Sequence, residues 1–248
     1  MKRRRLFDLE KKKRVQRRLF HLKSGGDNQY GISAEKPDIS TEALNILKKN
    51  YMSSIQVLRK DELELGTRGQ ILSEKWRQER SKRISSSYFK EIVTRRHTTR
   101  TANLVKRIVY ENTTACEAMQ YGLANEAKVL AQYEHDKQLY VHRCGLFIDP
   151  ANPFLCTSPD GLIGDIGLVE VKCPYSARDS TNLKEFFKQN KQQGLKWNAN
   201  GSFYLPDTHK YYFQIQGQLN ITNRSWCDLF YWCQGDTLTV RIEKNEKF

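Results

Sequence analysis

Ser158-Pro159-Asp160-Gly161, followed by Val169-Glu170-Val171-Lys172-Cys173-Pro174, brings together residue types that could do chemistry. Asp160 and Glu170 stand ten positions apart, with Gly161, Gly164, Asp165 and Gly167 between them. Glycines between two apolar, β-rich runs predict a hairpin, with Leu155–Leu162 as one strand and Leu168–Cys173 as the other. A turn near Gly164–Gly167 then sets the two carboxylates on adjacent strands. Side chains alternate along a strand, so Glu170 and Lys172 share one face while Val169 and Val171 face the core. Two carboxylates and one ammonium converge. Such a group suits a hard divalent cation held by oxygen ligands, with the lysine orienting water or meeting developing negative charge. The plainer alternative is a surface ion pair on a hairpin, against which the spacing, the Ser-Pro-Asp-Gly turn and the flanking Cys-Pro all count.

The chain that must position this group has 248 residues, room for one substantial domain and an appendage. Its 38% hydrophobic content and mean hydropathy of −0.72 fit a soluble protein. No apolar run approaches the roughly 20 residues of a membrane span, and the charged N-terminus lacks the apolar stretch of a secretory signal. The six cysteines are scattered and form no Cys-x2-Cys pairs, so they read as reduced, mostly buried thiols of an intracellular protein, not as a zinc module. Of the net charge of +14, residues 1–23 carry +9 (eleven Lys/Arg against two acids), which leaves +5 for 24–248. The folded part is only mildly basic, enough for a local phosphate track without demonstrating one.

Lys2-Arg3-Arg4-Arg5 and Lys11-Lys12-Lys13-Arg14 read as a nuclear-localisation signal, a nucleic-acid-binding arm or a solvated tail, and residues 24–40 as a linker. Apolar periodicity predicts helices over 41–58, from Ile71 into the eighties, beyond Ser85–Ser87, over 101–110, over Cys116–Lys137, around Leu183–Phe187 and over 208–222, the last capped by Asp207 or Thr208. A first strand, Leu139–Ile148, precedes the hairpin. Cys227–Cys233 and Thr237–Glu243, joined at Gly235-Asp236, close the sheet as antiparallel strands.

Several residues on these elements carry two readings. Arg80 beside a helix start at Ser85–Ser87 makes either a phosphate site or a capped helix with a surface arginine. Glu126 follows Gly122 by one helical turn and on its own reads as a solvated acid. Tyr211, Gln214 and Gln218 share one helix face, and glutamines at 214, 216 and 218 are unusual in a buried helix unless their amides have work to do. Arg95, Arg96, His97 and Arg100 fit a nucleic-acid backbone or a solvated loop equally well, with His97 a surface residue. Lys184, Lys188, Lys191 and Lys196 face substrate or solvent. Trp197–Pro206 is a loop or short hairpin whose aromatics stack on bases or, as is commoner, pack.

The hairpin resembles the PD-(D/E)xK nuclease motif in the form carried by the YqaJ-like viral recombinase, or lambda exonuclease, family. Trp76-x3-Arg80-x3-Ile84-Ser85-Ser86-Ser87 is similar to that family's Trp-x3-Arg-x3-Ile-Thr-Ala-Ser, with Ser85-Ser86 in place of Thr-Ala. The resemblance spans roughly residues 70–243, in the family's order, and leaves residues 1–60 outside. It implies an α+β fold, with a restriction-endonuclease-like core of about five mixed strands flanked by helices and an N-terminal helical region. Residues 1–40 would be a basic tail and linker, and 41–248 the exonuclease-like domain.

The resemblance also implies roles. Arg80, Ser87 and Ser158 would grip a 5′ phosphate, with Gln216 as a further DNA contact. Glu126, Asp160, Glu170 and the Val171 carbonyl would hold one or two metal ions, magnesium with manganese as the alternative. Asp160, Glu170, Lys172, Glu126 and Gln214 would carry catalysis, the glutamine positioning the attacked phosphate and water. The implied activity is 5′-to-3′ exonuclease digestion of linear duplex DNA, in recombination, repair or viral and mobile-element processing. The expected partner is DNA and not membrane, homo-oligomers stay open because relatives can form rings, and the location is intracellular, nuclear if the basic clusters act as a signal. The rivals are an endonuclease or RNA nuclease of the same fold, a silent nucleic-acid-binding module, and a docking domain whose basic tail alone is functional.

Overall fold

The computed structural model describes residues 39–248 except 58, 97, 98, 100, 110–115 and 191–193. The basic clusters, most of the linker, His97, Arg100 and Lys191 lie outside the described residues. Three helices lead in: α1 (Thr41–Ser54), α2 (Lys60–Leu65) and α3 (Glu74–Ser81). Ser40 and Ser73 cap α1 and α3 by accepting the amides of Ala43 and Trp76, each at 3.2 Å. After β1 (Ile84–Ser85) come α4 (Phe89–Val93), α5 (Ala102–Val109) and the long α6 (Glu117–Lys137), which ends at Gln138 in the left-handed region, φ 54°.

The middle of the chain is all short strands: β2 (Val141–His142), β3 (Phe147–Ile148), β4 (Leu155–Thr157), β5 (Gly161–Ile163) and β6 (Gly167–Lys172). Helix α7 (Leu183–Gln189) and a hairpin of β7 (Lys196–Trp197) and β8 (Phe203–Tyr204) follow, then α8 (Lys210–Thr222), β9 (Trp226–Cys233) and β10 (Asp236–Glu243). The main sheet runs β10-β9-β6-β5-β2, mixed because β6 and β9 are parallel while the other pairs are antiparallel. A second sheet runs β1-β4-β3. Fold class and strand number match the sequence-based expectation.

Two expected strands are each split. Leu155–Leu162 is β4 in the small sheet and β5 in the main one, with Ser158, Pro159 and Asp160 between. Leu139–Ile148 divides the same way into β2 and β3. Pro159 has no N–H to give a ladder, so the chain leaves one sheet before it and enters the other after it. The two changeover segments run side by side, because β2 pairs with β5 and β3 with β4.

The main sheet is covered on both faces. Leu168 of β6 and Leu229 and Tyr231 of β9 pack with Leu183, Phe187, Ile215 and Leu219 of α7 and α8. Val169 and Val171, with Phe230 and Trp232, pack on the opposite face with Val129, Leu130 and Tyr133 of α6. This is period-two alternation in β6 and β9, central strands buried on both faces. Buried charge follows from it. On the α6 face, Asp228 accepts from Tyr133 at 2.7 Å and from Arg241 at 2.8 and 2.9 Å. The six cysteines are free, four of them buried.

The changeover at 143–146 is held by the α2 region. The Gly145 amide donates to Glu64 at 2.8 Å, and the Leu146 amide to the Thr67 hydroxyl at 2.8 Å. A Cβ at Gly145 would lie 2.1 Å from the Glu64 carbonyl oxygen and 2.4 Å from the Thr67 hydroxyl. Gly145→Ala should therefore cost about 1–3 kcal/mol, read as a lower urea midpoint at unchanged slope. An unchanged midpoint would show that this contact gives way freely.

Candidate active site

Asp160 closes the changeover between β4 and β5, and Glu170 lies near the end of β6. The pairing of Gly161 with Val169 sets the two acids beside each other across the β5–β6 ladder. Asp160 is half-buried, and its Oδ2 accepts the Val171 amide at 2.7 Å. By alternation Glu170 and Lys172 fall on the α8 face with Leu168, as the sequence led us to expect. That face is not open, however, and Glu170 is 2% exposed.

A buried carboxylate must be compensated, and α8 and Lys172 supply the means. Lys172 Nζ and Gln214 Nε2 donate to Glu170 Oε1, the glutamine at 2.6 Å. Gln218 Nε2 donates to Oε2 at 2.6 Å. The Tyr211 ring covers the Lys172 ammonium, 4.9 Å from its centroid. The i, i+3, i+7 face of Tyr211, Gln214 and Gln218 is thus the lid on Glu170. Gln216 points elsewhere: it is fully buried, donates to the Glu243 carbonyl at 2.8 Å and accepts the Asn245 amide at 2.8 Å. It packs the chain's end and does not join the cluster.

The electrostatics follow from crowding. Burial, reinforced by Glu170, lifts the Asp160 carboxyl well above its ordinary pKa, and Lys172 only partly opposes it. Burial works against the Lys172 ammonium, but Glu170 and Asp160 outweigh it and raise the lysine's pKa. Glu126 reaches toward the centre from α6, on the other face. Its carboxyl is lifted by burial and pulled back by Arg143, with a weaker influence from Glu170. Its partner is Arg143, at 3.5 Å.

Among the described residues, no group of three or more His, Cys, Asp or Glu side chains is disposed to hold a metal ion. The expected trio of Glu126, Asp160 and Glu170 is therefore not drawn into one ligand set: Glu126 is turned to Arg143, and both oxygens of Glu170 carry donors. The chemistry of the donors still fits a hard cation. Asp160 and Glu170 are oxygen ligands near a single ammonium, and burial first, with the Glu170 charge second, raises Asp160.

Across Pro159 lies a second cluster. Trp76 Nε1 donates to the Ser158 hydroxyl at 2.8 Å, and the Arg80 guanidinium lies 5.0 Å from the Trp76 ring. Arg80 donates to Ser85 and, at 3.1 Å, to Ser87. Parallel pairing of β1 with β4 and a 2.7 Å bond between the Ser86 and Thr157 hydroxyls hold these segments together. Arg83, buried beneath, donates to the carbonyls of Pro153 at 2.9 Å and Ile55 at 2.6 Å and so fixes the end of α3. Arg80, Ser87 and Ser158 are thus brought together, with Ser85 added.

Sequence reasoning passed over several residues here. Gln218 was visible in the helical spacing but received no role. Gln70 had no signal at all; its amide donates to the carbonyls of Cys144 at 3.0 Å and Pro159 at 2.9 Å, clamping both changeovers. Arg143 was equally silent. Of the outlying cations, Lys184, Lys188 and Lys196 are exposed. Trp197 and Phe203 face each other across β7–β8 with centroids 6.3 Å apart.

The family comparison matches the YqaJ-like viral recombinase domain over residues 75–225. A search of curated proteins gives no match. Among solved structures, an alkaline exonuclease from Laribacter hongkongensis aligns at 23% identity over 71% of this chain and 84% of its own, TM-score 0.54. The same enzyme in complex with dAMP aligns at 24% identity over the same shares, TM-score 0.55. At these identities the likeness is one of fold.

His209, not Asp207 or Thr208, caps α8, its Nδ1 accepting the Tyr211 amide at 3.2 Å. Burial, with Lys210 and Lys90 adding to it, lowers its pKa to about 4. The unfolded imidazole titrates near 6.5, roughly the free value, so on acidification the unfolded chain takes the proton first. The cap's contribution is whole above about pH 6.5 and fades toward about pH 4. Urea midpoints at pH 7 and pH 4.5 should therefore fall further for the wild type than for His209→Asn, and equal falls would remove the imidazole from the account.

Proposed function

The chain belongs to the YqaJ-like viral recombinase domain family and is a phosphodiesterase of the exonuclease class, and from this premise we propose that it degrades linear duplex DNA from 5′-phosphorylated ends with a divalent metal, magnesium for preference. Support comes from one arrangement: Asp160, Glu170 and Lys172 stand on one side of Pro159, and Trp76, Arg80, Ser85, Ser87 and Ser158 on the other. A guanidinium with convergent hydroxyls suits a terminal phosphate dianion. Two carboxylates with an ammonium, gathered where Asp160 follows Pro159, suit attack on the neighbouring phosphodiester.

Asp160 and Glu170 would hold the cation, with the Val171 carbonyl and with Glu126 once it leaves Arg143. Bound there, the metal would polarise the scissile phosphate and lower the pKa of its water. Lys172 keeps its proton, so its work is to orient the water and offset charge on the phosphorane-like oxygens. Gln214 and Gln218 keep Glu170 from rotating, and Gln214 is the one positioned nearer the lysine, where it can also orient water. Arg80 and its serines set the register. Residues 41–248 would act as one exonuclease-like unit, since Tyr51 donates to the Lys82 carbonyl and Arg83 reaches Ile55, with 1–40 as a basic tail serving nuclear import or DNA contact. Among the described residues, no helix is long and apolar enough to cross a membrane.

End-labelled linear and closed circular DNA, with Mg²⁺ or EDTA, tests this. The wild type should shorten linear DNA with Mg²⁺ only and spare circles, and Lys172→Ala should be about 10²–10³-fold slower with its fold retained. Cleavage of circles at the linear rate would make it an endonuclease. Arg80→Ala should lose most of the preference for phosphorylated over hydroxyl 5′ ends; equal loss on both would end the role given to Arg80.

A further inference from the structure

Arg143 belongs to no expected motif, yet it stands in the changeover between β2 and β3, half-exposed and paired with Glu126. It lines a cavity of about 580 Å³ with Arg68, Gln70, Trp76, Leu123 and Glu126. Two arginines face this space, but they are committed differently. Arg68 grips Glu64 through two nitrogens at 2.9 and 3.0 Å. Arg143 meets Glu126 through one nitrogen at 3.5 Å, with side chains 50% and 33% exposed. The second pair is loose, and a phosphate that can take both guanidinium nitrogens competes well against it. Trp76, whose ring lies against the Arg80 guanidinium, is one wall of this cavity, so a strand gripped at Arg80 has it as a neighbouring space.

Resting on the metal-dependent reading above, we propose that Arg143 is a substrate-responsive positioning residue: it holds Glu126 away from Asp160 and Glu170 until a DNA phosphate draws the guanidinium off. Metal and DNA then bind cooperatively. Each favours the arrangement in which Glu126 faces the other two carboxylates, so the coupling is reciprocal.

The test is calorimetric titration of the full chain with Mn²⁺, alone and with a nuclease-resistant phosphorothioate duplex. For the wild type, DNA should tighten Mn²⁺ binding about fivefold, the scale of a half-exposed ion pair. Arg143→Gln should bind Mn²⁺ in the absence of DNA as tightly as the wild type does with it, and DNA should add nothing further. Arg143→Lys should keep part of the coupling. If Arg143→Gln tightens metal by the same factor with and without DNA, the arginine acts only through its charge and the gating role is overturned. It is equally overturned if the substitution leaves metal affinity unchanged or weaker. Mn²⁺ binding by neither protein, with or without DNA, would sink the metal reading and this inference together.

Discussion

A carboxylate in the middle of a sheet covered on both faces is the constraint on which this molecule turns. Glu170 is closed off from solvent, and burying an ion uncompensated costs several kcal/mol. The chain answers with an ammonium from the same strand and two amides from one helix. The helix must therefore lie where the parallel pairing of β6 and β9 puts it, across the strand, with Tyr211, Gln214 and Gln218 downward. Its start is fixed by the His209 cap and its end by Asn223 in the left-handed region. Position and compensation are one requirement, because α8 out of place would leave Glu170 unpaired.

The second requirement is that two half-sites meet. A single long hairpin would have put Asp160 opposite Glu170 but left the Trp76–Arg80–serine cluster unconnected. Changing sheets at Ser158–Asp160 joins them: Ser158 leaves the small sheet bonded to Trp76, and Asp160 enters the main sheet bonded to the Val171 amide. The distance between the two clusters is then set by Pro159, a residue with one fixed backbone torsion.

Much of this was legible in the residues. The Asp160–Glu170 spacing put the two acids on adjacent strands, alternation put Glu170 and Lys172 on one face, and the glutamine face of α8 was visible from helical spacing alone. What periodicity could not give was the split of Leu155–Leu162 and Leu139–Ile148, because an apolar run reads as one strand whichever sheet its halves join. Nor could it give the burial of Glu170, since alternation tells two faces apart without saying that both are covered. Gln216 illustrates the same limit: two residues from Gln214 and Gln218, it lies on another helix face, and its partners are at the far end of the chain. Glu64, Thr67, Gln70 and Arg143 act through backbone atoms or partners some 17 to 89 positions away, where no local pattern exists.

Gln70 carries a consequence for where this catalytic unit begins. The family match starts at residue 75, yet the carbonyls of Cys144 and Pro159 hang from Gln70, and Gly145 and Leu146 hang from Glu64 and Thr67. A truncation at the family boundary would keep every motif residue and discard the brace that aligns them. The brace on both changeovers, from Glu64, Thr67 and Gln70, therefore lies N-terminal to the matched residues.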